Sequence, residues 1–364
     1  MKFISNKRVK VVALILFLIL LGLVALEVPS VLSYDSKIED DEVELYFPPA
    51  PDTPRIKYLS SLSSPSDWKL KRSSLFTRVL KKIVGLDDRE AGIVFPYGLT
   101  TDNQERLIVV DSKARLIHVF DPKRKKYFAI KAPKGETFVS LIGVAVDADN
   151  NIYVSDSYTG KMFVFDREGK FKKRLGDDEG LFGRPTGIAI DPVTQRIYVV
   201  ETQIGRVDVI DFDGKLQFRF GKRGTGDGEF NRPTEICIRG ERVYVTDTLN
   251  ARVHIFDKAG NFISSVGRRG TGPGDLDKPK GVAIDSEGHI YVVEGLRDAV
   301  EIFDQDGKFL LEFGQTGTSR GEFYLPTAIH IDADDKIYVS DSYNRRIQVF
   351  RYLKEGDVKA EKGS

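Results

Sequence analysis

The chain carries one cysteine, Cys237, among its 364 residues. A lone cysteine excludes an intramolecular disulfide framework, a CxxCH haem attachment site and a paired-cysteine zinc site. Histidine is nearly as scarce, with four residues. No G-x-S-x-G elbow and no HExxH motif occurs, so the sequence offers no support for nucleophilic or zincin-type hydrolysis. Net charge is also lacking: 55 basic residues face 54 acidic ones. That balance gives no global reason to expect nucleic acid. What is present is apolar material, 41% of the chain with 10% aromatic, enough for a large core in one or two domains.

The apolar residues begin with a block. Lys2, Lys7, Arg8 and Lys10 precede an unbroken run, Val11 to Leu26. Sixteen helical residues span roughly 24 Å, a little short of a hydrocarbon core of about 30 Å. Extension past Glu27 through Leu32 would close the gap. The preferred reading of residues 1–34 is a basic tip and an uncleaved transmembrane signal anchor; a cleavable signal peptide is the rival. Positive charge before the run places the remainder outside the cytoplasm, on the periplasmic or extracellular side. No cysteine follows the run, which excludes lipid attachment there. Residues 35–54, acidic then proline-rich, read as a solvated spacer.

A repeat fills the rest. The stretch GKRGTGDGEFNRP (221–233) raises the question of a phosphate-cradling loop. No helix follows it. Period-two alternation and turn residues instead mark four short strands. Similar loops recur from Gly267 and Gly314, with a shorter one from Gly176. An acidic residue closes the second strand of each unit at Asp111, Asp156, Glu201, Asp247, Glu294 and Asp341. Four strands per unit at that spacing describe a propeller blade. The glycine-rich loops are then blade-to-blade connections, and the acidic column is a set of turn-closing acceptors.

The stretches PTGIAID (185–191), KGVAIDSEGHIYVVE (280–294) and KIYVSDSYNRRIQVFRY (336–352) resemble NHL repeats. The resemblance covers six units, from about Phe95 to Tyr352, and implies an all-β, six-bladed β-propeller. Unit 1 is degraded, unit 2 has Leu141 where most have proline, and unit 4 has Arg239 where the others have aspartate. Among six-bladed relatives are amidating lyases that hold zinc and lactonases that hold calcium. Fold alone does not choose among functions.

The sixth unit stops after three strands, leaving an open edge. RIKYLSSL (55–62) matches the fourth-strand pattern and is expected to complete blade 6. The propeller then spans residues 55–352, with a charged tail at 353–364. Residues 63–94 become an insertion, in which Leu75, Phe76, Val79, Leu80, Ile83 and Val84 recur at helical spacing. Strand 2–3 turns and blade connections share one face of such a disc. Any binding surface is expected there.

Candidate residues follow from that topology. At the turn tips stand Tyr158, Gln203, Asn250, Tyr343 and Asn344. Lys222, Arg223, Arg268 and Arg269 lie on successive connections near Arg232, Lys278 and Lys280, forming a candidate basic patch for an acidic partner. Glu235 enters the innermost strand where other units have glycine or alanine, and is expected at the channel mouth with Lys280 nearby. His330 is the one histidine on an innermost strand. His118 and His254 occupy third strands of opposite blades, over roughly 20 Å apart at about 4.7 Å per strand, and cannot share an ion. The expected function is a membrane-anchored, extracytoplasmic, non-catalytic binding or scaffold module for a protein or other ligand, without nucleic acid and without a cofactor. The alternative is a metal-dependent lyase or lactone hydrolase at the channel mouth, with calcium or zinc under that reading only.

Overall fold

A computed structural model of the chain describes residues 44–49, 51–68, 92–176 and 180–357. The apolar run, the first part of the spacer, the helical pattern of the insertion and the last seven residues lie outside the described residues. Among the described residues, no helix is long and apolar enough to cross a membrane.

The fold is all-β, a six-bladed propeller. Blade 1 comprises Pro96–Thr101, Leu107–Asp111, Leu116–Asp121 and Lys126–Ile130, paired in sequence order as one antiparallel sheet. Blades 2 to 5 repeat this order from Leu141, Pro185, Pro233 and Pro279. Second and third strands are buried almost throughout, being covered on both faces by neighbouring blades. Their near-continuous Val, Ile and aromatic content follows from that burial.

Blade 6 is assembled from both ends of the propeller sequence. Pro326–Ile331, Lys336–Asp341 and Arg346–Tyr352 form its inner three strands. Ile56–Leu62 pairs antiparallel with Arg346–Tyr352, from Ile56 opposite Tyr352 to Leu62 opposite Ile347. Tyr46–Phe47 then adds a fifth strand. The spacer assigned to residues 35–54 is therefore too long at its C-terminal end. Leu45 and Phe47 are apolar and have a surface to cover: Phe47 packs against Phe313 and Phe350, with ring centroids 5.7 and 6.3 Å apart. The tail assigned from residue 353 also starts too early. Leu353 is buried, and its N–H donates to Arg55 O at 2.8 Å. The described ends of the insertion meet, Ile93 N donating to Ser63 O at 2.8 Å.

One irregularity recurs in every blade. Register shifts between Pro96 and Leu99, and at the matching places from Leu141, Pro185, Pro233, Pro279 and Pro326. A bulge re-aims the side chains it carries. Six bulged dipeptides thus surround the channel where the inner strands begin.

Candidate binding site at the channel mouth

The blade connections are held by carboxylates rather than by anions from outside. Glu229 accepts the N–H groups of Thr225 and Gly226 at 3.1 and 2.9 Å. Asp275 accepts from Gly272 and Glu322 from Ser319 in the two following loops. The amides that would cradle a phosphate are occupied by the loop's own acid. Beneath them, the acidic column takes the N–H groups that lead into the inner strands: Val94 and Phe95 donate to Asp111, Val139 and Ser140 to Asp156, Gly183 and Arg184 to Glu201. These carboxylates are pillars of the loop face.

The third-strand polar residues are buried beside the pillars. His118 Nε2 lies 3.6 Å from Asp111, and His254 Nε2 3.4 Å from Asp247. His118 also contacts Tyr127 Oη at 2.9 Å, and His254 contacts Glu229 O at 3.0 Å.

The six mouth dipeptides are Tyr97–Gly98, Ile142–Gly143, Thr186–Gly187, Thr234–Glu235, Lys280–Gly281 and Thr327–Ala328. Glycine is required by crowding. A Cβ on Gly98 would meet Ile142 O at 2.3 Å, and one on Gly143 would meet Thr186 O at 2.2 Å. In blades 3, 4 and 6 the threonine joins a hydroxyl pair across its blade: Thr186 with Thr202, Thr234 with Thr248, Thr327 with Ser342. Those partner hydroxyls donate to the next blade's proline carbonyl, as Thr202 does to Pro233 O at 2.7 Å. The departures from this scheme are Tyr97, Ile142, Glu235 and Lys280.

Glu235 lines the central channel, a cavity of about 240 Å³ bounded by all six inner strands. Its side chain lies against Gly187 of the preceding blade. Its carboxylate accepts the Ile236 N–H at 3.1 Å. Burial pushes its carboxyl up to about 7, with the Ile236 N–H opposing. Tyr97, on the opposite blade, is pushed up to about 12 by burial and by the Glu235 charge, while Arg184 pulls it down. Lys280, expected beside Glu235, makes no ion pair with it. Its stem instead lies over Gly295.

His330 sits deeper, toward the other end of the channel, where its Nε2 meets Thr101 Oγ1 at 2.8 Å across the blade 6–blade 1 seam. Burial, and then Arg239, push its pKa down to about 4. Glu235 and His330 are not brought together. Among the described residues, no group of three His, Cys, Asp or Glu stands close enough to hold a metal ion.

The four loop cations of the sequence-predicted patch fare unequally. Lys222 pairs with Glu229 at 3.1 Å, Arg268 with Asp275 at 2.8 Å and Arg269 with Asp277 at 3.2 Å. Only Arg223 among them lacks an ion pair. The connections bring their own acids, a local compensation that counting Lys and Arg overlooks. Cations without an ion pair among the described residues lie where the inner strands begin: Arg184, Arg232 and Lys278, each directly before the first inner-strand proline of blades 3, 4 and 5, together with Lys280.

Among the turn-tip candidates, Tyr158 and Tyr343 are exposed, at 77% and 50%. Asn250 and Asn344 are committed inward, donating to Gly224 O and Gly317 O as well as to Asp247 and Asp341. Gln203 adjoins Ile204, and the apolar neighbour is the exposed hydrophobic at that turn. Ile204, Leu249, Leu296 and Tyr324 were not singled out from the sequence; with Tyr158 and Tyr343 they ring the mouth. Tyr343 packs against Phe95 and Tyr324, and the Lys113 ammonium lies 4.6 Å from the Phe95 ring centroid. Aligning the third residue of the six turns would have found Leu249 and Leu296.

A family model described as "6-bladed beta-propeller" matches residues 231–300 and 284–361. No curated protein matches the sequence significantly. Among solved structures, virginiamycin B lyase from Staphylococcus aureus is similar, with TM-score 0.54 and 15% identity over 72% of this chain and 97% of that one. An auxiliary nutrient binding protein from Bacteroides thetaiotaomicron gives TM-score 0.58 and 15% identity, over 73% of this chain and 71% of that one. A second, from Bacteroides ovatus, gives 0.57 and 15% over 74% and 72%. At such identity the likeness is one of fold.

Proposed function

We propose that the protein is an NHL-type propeller acting as a non-catalytic binding module. It is held to a membrane by the Val11–Leu26 run, stands on the extracytoplasmic side and docks a protein or other ligand on its loop face. One observation carries the reading: exposed apolar side chains stand on the loop-face turns and connections of five blades, beside cations that have no ion pair among the described residues. Exposed apolar side chains gathered on one face among polar groups favour an interaction site. The two nutrient binding proteins of similar fold support a binding role without naming a ligand.

A photo-crosslinking residue tests the face. Placed at Leu249 in cells, it should yield a discrete adduct. Placed at Val193, which is 82% exposed on the opposite face, it should not. Equal labelling from both positions, or none from Leu249, would remove the docking face. A periplasmic-reporter fusion after Ser364 tests orientation; activity in the cytoplasm would reverse it.

A further inference from the structure

Blade 5 breaks the hydroxyl scheme in two places at once. Where three other blades pair threonine with a hydroxyl, it has Lys280 and Gly295. The two changes fit each other. A Cβ at position 295 would stand 3.0 Å from Lys280 Cγ and 3.5 Å from its Cε, so glycine makes the bed on which the lysine stem lies. Thr234 of blade 4 donates to Lys280 O at 3.1 Å and fixes the backbone from the other side. Lys280 is half-buried, and among the described residues no carboxylate lies within ion-pair distance of its ammonium. Burial, and then Lys278, hold its pKa below the ordinary lysine value, against the opposing pull of Glu294. Lys278 lies near enough to act on it, and among the described residues neither Lys278 nor Arg232, just before Pro233 of blade 4, has an ion pair. Leu249 and Leu296, on the turns of the same two blades, are 41% and 49% exposed.

We propose that the blade 4–blade 5 sector of the mouth receives a carboxylate carried on a slender stem, an Asp or Glu side chain of a partner polypeptide whose flanking apolar residues lie on Leu249 and Leu296. The inference rests on the loop-face docking reading. A recessed ammonium selects a charge that can project inward, which a flat anionic lipid surface does not do. A half-buried cation has already lost part of its hydration, so an anion that pairs with it in good geometry meets a smaller remaining desolvation cost than it would at an exposed lysine.

The test uses the full-length protein and a labelled peptide of three Leu-Glu repeats, with a Leu-Gln counterpart, read by fluorescence anisotropy. The Leu-Glu peptide should bind at least tenfold more tightly. Lys280→Met keeps the stem on Gly295 and should remove that advantage without shifting the melting curve. Glutarate should compete weakly, because it cannot cover the leucines. If glutarate or phosphatidylglycerol vesicles bind in a Lys280-dependent way and the peptide does not, the polypeptide assignment is overturned. If both peptides bind equally and both are lost in Leu249→Asp/Leu296→Asp, the carboxylate subsite falls while the docking face stands. Failure of both peptides to bind would overturn the subsite and count against the face.

Discussion

On the face away from the blade connections, aspartates end the inner strands and accept from their own turns. Asp102 takes Gln104 N and Arg106 N, Asp285 takes Glu287 N and His289 N, and Asp332 takes Asp334 N and Lys336 N. On the loop face, the pillars also accept backbone N–H groups, but from connections that cross between blades. The first device holds a hairpin; the second holds one blade to the next. The faces also differ in what remains. The loop face keeps a ring of apolar tips and a set of unpaired cations, while Val193 is the large apolar side chain that stands out on the other. Turn chemistry alone does not explain that surplus, and the docking role is assigned on it.

The largest expected effect separates the two kinds of carboxylate. Asp247 is fully buried, accepts Asn231 N at 2.6 Å and Asn250 Nδ2 at 2.7 Å, and lies beside Arg252 and His254. Asp247→Ala strands those partners and should cost about 3–5 kcal/mol in urea unfolding. Asp257, in an opposite-face turn, accepts from Ala259 and Asn261 within its own hairpin. Asp257→Ala should cost about 1 kcal/mol. Equal losses would mean that the pillars do no more than close turns.

Glycines extend the contrast at a smaller scale. Gly187→Ala would press a Cβ to within 2.6 Å of Glu235 Oε1 and 2.9 Å of Thr234 O. Overpacking of that kind should cost about 1–3 kcal/mol and should disturb the mouth. Gly240, on the other face, has open space around a φ of +57°, so Gly240→Ala should cost about 1 kcal/mol from backbone conformation alone. Binding of the Leu-Glu peptide should fall in Gly187→Ala and be unchanged in Gly240→Ala. Loss in both variants would indicate general weakening.

The repeat made the propeller legible, because six copies of one strand pattern and one acidic column leave few alternatives. The mouth was legible only in part. Glu235 and Lys280 stand out as breaks in the repeat, and so does Tyr97 once its position is aligned with the threonines. The basic pairs misled because Glu229, Asp275 and Asp277 lie only a few residues beyond them and pair back; loop geometry, not composition, decides that. The apolar tips were missed for the opposite reason. A single Leu in a turn carries no periodic signal, and Leu249 and Leu296 become a surface only when the ring brings five blades together.

The two ends of the channel sharpen the comparison through pH. Glu235, at the loop-face mouth, has its carboxyl raised to about 7, chiefly by burial. The folded state therefore holds that proton more tightly than the unfolded chain. Its contribution is fully present below the ordinary carboxylate pKa and is lost as pH rises through about 7. His330, toward the other face, is lowered to about 4 by burial and Arg239. Its neutral form is the folded form, so its contribution is present above the ordinary histidine pKa and is lost as pH falls toward about 4. Glu235→Gln should thus raise the melting temperature by roughly 2–4 °C at pH 8.5 and leave it unchanged at pH 4. His330→Gln, which can keep the bond to Thr101, should flatten the acid limb between about pH 6.5 and 4 and leave the alkaline limb alone. Melting curves across pH 4–9 for both variants read the two ends separately. If each substitution moves both limbs, the channel is one electrostatic compartment, and the mouth cannot be treated as a site apart from the strands below it.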